Sequence, residues 1–373
     1  MAAVAQRRPT VPVILAGAMV EGLEAFGDVA GRPGEVILAP AVHAPGDPLT
    51  TLLTELALPD DDPRRTIGVA TGTLAEVLAR RIEVIVLGHD ASVRVSATPA
   101  GGGGTPTIDL AIVPAAAVAP SDPDDVVVDG VLLWSTTVSD RHRIRDRLRE
   151  LRIAPWADPA GDGAALRMAA SRAALVRLVA ATAAEYADDI APDLVITSSG
   201  TWSTVPAPTV ALTIVDVVRR SGASQFALDH ARVLAVLGAI PDADERRSVV
   251  QDLVDDMLAP LGTVVTPAGL RAGRSAGSLT VHSEGGASPV DLMPGGLELV
   301  DLAPGQSAVA EFRFRDTVRL ATRGRHFEVQ VAGGLGGLLV DLRDVPLRLP
   351  ERADRRRDLL SAWQSALWTG AEG

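Results

Sequence analysis

IEVIVLGHDASVRV (residues 82–95) opens as a near-continuous apolar run, breaks at Gly88-His89-Asp90 and resumes as an alternation of apolar and polar residues. An apolar run of that length closed by a glycine turn predicts a buried strand. The alternation after it predicts the second arm of a hairpin. DLVITSSG (193–200) is a second buried strand that ends in a small-residue turn. Upstream, VPVILAG (11–17) and EVILAP (35–40) predict strands, with helical stretches at 19–29 and 48–58. TIGVAT (66–71) leads into a helix over 73–81, with Thr73 as its cap. Buried strands alternating with helices predict an α/β fold whose mixed sheet is covered by helices.

Downstream, the glycine run 101–104 marks a loop, and IDLAIVP (108–114) and DVVVDGVLLW (125–134) continue the strand pattern. A long helical stretch follows over 139–187, broken at 155–163. Residues 208–220, 231–239 and 244–259 also read as helices, with a strand at SQFALD (224–229). From Gly262 the character changes to short strands separated by Gly and Pro, running to about residue 349. An amphipathic helix at 353–368 closes the chain.

Of the 373 residues, 47% are apolar and 22% charged, enough to build a sizeable core. Aromatic residues make up 3%, so aliphatic side chains must do most of the packing. The chain has no cysteine, which removes disulfides, thiolate zinc sites and thiol nucleophiles. A net charge of −12 argues against nucleic acid and anionic lipid as partners. The arginine runs at 141–152 and 352–357 are interleaved with acids at helical spacing and predict solvated helix faces. Neither a membrane span nor a signal peptide is expected, and the expected location is the cytoplasm.

Familiar catalytic signatures are missing. The chain has no lysine, so a P-loop is excluded. Its six histidines show no metal-ligand spacing, and no metal ligand or catalytic residue is assigned. GGLGG (333–337) has the apolar flanks of a β-turn, not the context of a phosphate cradle.

LDHARVLAVLGA, LAPLGTVVTPAG and GGLGGLLVDLRDVPL, within 192–350, carry a more specific signal. Together with the order of the upstream strands, they resemble the glutamate mutase L family, of the actin/Hsp70-like sugar-kinase superfamily. The resemblance covers most of the chain. It implies an actin-like (ribonuclease H-like) ATPase-type fold with a C-terminal β-rich segment. On this frame 1–81 is a partial first α/β lobe and 82–261 a second actin-like lobe. Residues 262–349 are then a β-rich domain and 350–373 a C-terminal helix.

Members of that family begin with a phosphate turn in the first lobe, and here that lobe's hairpin is expected to be missing. Their second phosphate turn carries an aspartate that holds magnesium, where this chain has Val86. Gly88 is retained, His89 replaces a glycine, Asp90 lies nearby, and Ser92 stands where a threonine is expected. In the adenosine-side turn relatives are glycine-rich, and this chain has Ser198-Ser199-Gly200-Thr201. An aliphatic side chain cannot hold a hydrated cation, and side chains in the second turn crowd a nucleotide's approach. Asp229, at a strand end, either faces the cleft or caps the next helix.

The expectation is therefore a pseudo-ATPase, with ATP and magnesium bound weakly if at all. By resemblance, its partner is a cobalamin-dependent mutase that it binds or maintains, as a chaperone-like accessory. Homo-oligomerisation is left open. The alternatives are a divergent active ATP-hydrolysing enzyme, needing Asp90 or Asp229 for magnesium, and a scaffold subunit of another oligomer.

Overall fold

The computed structural model describes residues 62–100, 104–155, 161–182, 191–202, 205–271, 275–283 and 286–367. It also describes 58–59 and two short strands, β1 (Val13–Ala16) and β2 (Val36–Ala39), which pair in parallel. The helices expected at 19–29 and 48–58 lie outside the described residues, as does the segment expected to lack a first-lobe hairpin.

The stretch 82–95 folds as a hairpin, β3 (Ile82–Leu87) antiparallel to β4 (Ser92–Thr98), and β5 (Thr107–Val113) continues the meander. Period-two alternation sorts β3 between two cores. Ile85 and Leu87 enter one apolar cluster, and Ile82 and Val84 enter the other. Helices then carry the chain to β6 (Leu194–Ser198), parallel to β3, and on to β7 (Gly222–Leu228), parallel to β6. β8 (Ala259–Thr266) lies antiparallel to β7.

The sheet continues past residue 262. β14 (Leu338–Asp341) is parallel to β8, and β11 (Leu297–Val300) is antiparallel to β14. The eight strands run in the order β11-β14-β8-β7-β6-β3-β4-β5. A separate antiparallel sheet has the order β10-β9-β12-β13. It comprises β9 (Gly277–Ser283), β10 (Gly286–Leu292), β12 (Ser307–Leu320) and β13 (Thr322–Ala332). Leu279 and Phe312 of this smaller sheet share a core with Val265, Leu338 and Val340 of the larger one.

The fold is thus α/β, with a mixed sheet, eight helices among the described residues and a second, all-antiparallel sheet. α1 (Pro63–Leu78) packs on one face of the large sheet with α6 (Val233–Gly238) and α7 (Ala243–Leu253). On the other face lie α2 (Asp125–Trp134), α3 (Arg141–Ile153), α4 (Gly161–Ala181), α5 (Ala207–Val215) and the closing α8 (Ala353–Ala366).

Three local readings are corrected. DVVVDGVLLW is a helix, not a strand. Asp124 accepts the Val127 N–H at 2.8 Å, and Val127, Val128, Val131 and Trp134 recur on one buried face. Cap and helical period together outweigh the strand preference of three valines. TIGVAT and the helix after it form one element. Asp62 caps it by accepting the Arg64 N–H at 2.9 Å, with Pro63 in the first turn. Thr73 is therefore an interior residue whose hydroxyl donates back to the Val69 carbonyl. β10, unread in the sequence, contains Pro289, which an edge strand tolerates because one side of its ladder is unpaired.

The loop 333–337 threads against β8. A side chain on Gly334 would run into the backbone of Leu261 and Gly262, which accounts for glycine there without any ligand. Among the described residues no helix is long and apolar enough to cross a membrane.

Candidate functional site

β3 and β6 run parallel, so they deliver their C-terminal turns to the same end of the sheet. The turn after β3 carries Gly88-His89-Asp90, and the turn after β6 carries Ser199-Gly200-Thr201. A cavity of about 550 Å³ opens between them. Val86, Gly88, His89, Ser198, Ser199, Gly200 and Thr201 of the ten candidate residues line it. The remaining wall comes from Leu87, from Leu151 and Pro155 at the end of α3, from Arg167 of α4, and from Arg232 ahead of α6. Asp90, Ser92 and Asp229 are not in the lining.

Each turn is held by its own bonds. A Cβ on Gly88 would collide with the Ala91 carbonyl oxygen, so the hairpin closes only around glycine. The Gly88 carbonyl accepts the Val118 N–H at 2.8 Å. Ser199 donates from Oγ to the Leu87 carbonyl at 2.8 Å and accepts the Thr201 N–H at 3.1 Å, which ties the second turn to the first. Ser198, buried, lies 3.5 Å from the Asp229 carbonyl oxygen through its Oγ. Thr197 receives the Trp202 indole N–H at 2.8 Å and donates to the Ile85 carbonyl.

The other three candidates are used elsewhere. Ser92 is fully buried, and its Oγ donates to the Ala116 carbonyl at 2.6 Å, away from the cavity. Asp229 caps α6, accepting the Val233 N–H at 2.8 Å and the Leu234 N–H at 3.3 Å. Burial pushes its carboxyl above the ordinary value, and those N–H bonds oppose the shift in part. Asp90 is exposed and pairs with Arg152 of α3 at 2.6 Å. Arg152 also donates to the His89 carbonyl at 3.4 Å. His89 is half-buried. Desolvation first, and then the charge of Arg152, hold its imidazole below the ordinary value and keep it neutral at neutral pH.

Among the described residues the cavity wall therefore contains two arginines and no carboxylate. Among the described residues no group of three His, Asp or Glu could hold a metal ion. Magnesium is ordinarily held by one or two carboxylates along with ligand phosphates, and the described residues of this wall offer none. Val86 sits in β3 opposite Val93 and Ser198, with its side chain in aliphatic surroundings. The described lining combines Arg232 and Arg167 with an apolar face of Val86, Leu87, Leu151 and Pro155.

The arginines are the part that reading the sequence missed. Arg167 lies inside an alanine- and leucine-rich helix, and Arg232 follows a capping aspartate by three residues. No spacing pattern joins them to residues 86–90. The arginine run of α3 does behave as a solvated face, with Arg141, Arg145 and Arg149 paired to Asp129, Asp125 and Asp122.

No protein-family model matches the chain, and no curated protein matches its sequence.

Proposed function

We propose that the chain is a non-catalytic accessory protein of the glutamate mutase L type, a pseudo-ATPase that binds or maintains a partner enzyme. The observation that carries this reading is the cavity itself. It sits where two strand-end turns meet, as a nucleotide cleft would, yet its wall has Val86 and, among the described residues, no carboxylate. The core strand order β5-β4-β3-β6-β7, a meander followed by two parallel strands, supports an actin-like (ribonuclease H-like) lobe. By resemblance the partner is a cobalamin-dependent mutase.

An active enzyme on this frame would need Asp90 or Asp229 to hold magnesium. Asp90 is paired with Arg152 outside the cavity, and both Asp229 oxygens accept helix N–H groups. Fold alone does not assign function, so a partner assay carries the test. The full chain is mixed with a cobalamin-dependent mutase and passed over a sizing column, and ATP turnover is measured in parallel. Co-elution without magnesium-dependent turnover is the expected result. Turnover that survives purification and is lost in Asp90→Ala overturns the reading.

A further inference from the structure

We propose that copies of this chain associate head to tail, with the turn after α7 of one copy seated against the end of the β12–β13 hairpin of the next. The contact uses no residue of the β3/β6 cavity and does not depend on the accessory reading.

Placement is the first argument. β7 and β8 run antiparallel, with Leu228 opposite Ala259 at one end and Gly222 opposite Thr266 at the other. Asp252, Asp255 and Asp256 come just ahead of Ala259 and so lie toward the first end. The hairpin reaches the second end, where Ser221 donates to the Arg319 carbonyl and Ala268 pairs with the same residue. Strands of seven and eight residues hold these ends about 20–25 Å apart. One copy cannot bring them together, and two copies can.

Charge is the second. Asp252, Asp255 and Asp256 are exposed, and among the described residues their carboxylates have no hydrogen bond or ion pair. Arg315 of β12 and Arg323 and Arg325 of β13 are exposed, and among the described residues their guanidinium groups have none either. Acids at one end and arginines at the other are complementary between two copies. Like charges facing each other are disfavoured, which argues against pairing either end with itself.

Shape is the third. Exposed ion pairs each contribute little, so charge orients the copies and an apolar contact must hold them. Leu253 sits among the three aspartates and is 41% exposed. At the hairpin a second cavity, of about 390 Å³, opens between β13 and the start of β7. Leu320, Phe327 and Val329 lie in its wall together with Thr322, the neighbour of Arg323. A leucine entering this cavity inside paired charges gives the apolar centre and polar rim of a protein interface. An apolar group that fits a pocket elsewhere on the same molecule makes a heterologous contact, which closes into a ring or continues as a chain.

The test is sedimentation velocity of the full chain at rising protein concentration, in low and in high salt. Association should grow with concentration and fall with salt. Arg323→Asp with Arg325→Asp should leave the chain monomeric, and so should Asp255→Arg with Asp256→Arg. An equimolar mixture of these two variants should associate again, because each end then meets the opposite charge on the other variant. Leu253→Ser, at an exposed position, should abolish association with the melting temperature unchanged, and it stands as the test if a charge variant fails to fold. A wild type that stays monomeric at every concentration overturns the proposal. So does association that survives either charge reversal or Leu253→Ser, or a mixture of the two folded charge variants that stays monomeric.

Discussion

Two of this molecule's arginine groups differ in their surroundings. At the cavity, Arg167 and Arg232 are part of a wall in which no described residue is a carboxylate. At the far edge of the same sheet, Arg343 is almost fully buried between Asp216 at 2.7 Å and Asp341 at 2.8 Å. Arg219 also bonds to Asp341, and Arg172 to Asp216. The Arg343 guanidinium lies 4.5 Å from the centre of the Trp363 ring, which ties α8 to the end of β14. Trp363 completes the join by donating its indole N–H to the Gly295 carbonyl at 3.1 Å. A buried charge persists in a folded protein when it is matched by opposite charge and hydrogen bonds. The clasp meets that condition within the chain, whereas Arg232 is exposed and keeps its charge in contact with water.

The clearest way to break this contrast is to remove one arginine from each place. Arg343→Gln leaves two buried carboxylates short of a partner and should cost about 3–5 kcal/mol in urea unfolding. Arg232→Gln, on an exposed side chain, should change stability by no more than about 0.5 kcal/mol. A similar cost at both positions would mean that the two arginine groups play the same structural part.

The pH dependence sharpens the clasp further. Burial would raise the Asp341 carboxyl, but Arg343 and Arg219 outweigh it and lower the value to about 2 from 3.8. A folded-state value below the unfolded one stabilises the protein fully above the unfolded value. That contribution is lost as pH falls through the folded one. The stability advantage of the wild type over Asp341→Asn should therefore hold above pH 4 and shrink between about pH 4 and pH 2, read by chemical unfolding at each pH.

Smaller effects should separate the cavity from its rim. Gly200→Ala should fold normally, since the new Cβ meets only the far end of the Arg232 side chain. Its stability in urea unfolding should stay within about 0.5 kcal/mol of the wild type. Asp90→Ala should have the smallest effect. Its carboxylate is 74% exposed in its pair with Arg152, and such pairs contribute about 0–1 kcal/mol. A change of less than about 1 kcal/mol in urea unfolding is the expected result.

Much of this architecture is legible in the residues. β3, β4, β6, β7, β8 and β14 read correctly because strands buried on both faces, or alternating between two cores, leave an apolar record over four to eight positions. α2 defeats that signal because its valines have the same composition in a helix or a strand. Only the Asp124 cap and the spacing of burial tell them apart. β10 is hidden by its glycine and proline, residues a strand accepts only at an edge, and which strands become edges is a property of the whole sheet.

The site divides in the same way. The sequence alone singles out the two turns, Gly88-His89-Asp90 and Ser198-Ser199-Gly200-Thr201, as the places where the chain reverses after a buried strand, and it determines that Val86 cannot hold a cation. Tertiary structure decides that these turns face each other, because β3 and β6 pair in parallel from residues more than a hundred positions apart. It also decides which polar groups remain for a ligand. Ser92 and Asp229 resemble site residues in sequence, yet one bonds a buried carbonyl and the other a helix N-terminus. Arg167 and Arg232 carry no sequence signal, and packing of α4 and the start of α6 around the turns brings them to the wall. A side chain's chemistry is local and can be read along the chain. Whether its hydrogen bonds and charge are already matched depends on neighbours that only the fold supplies.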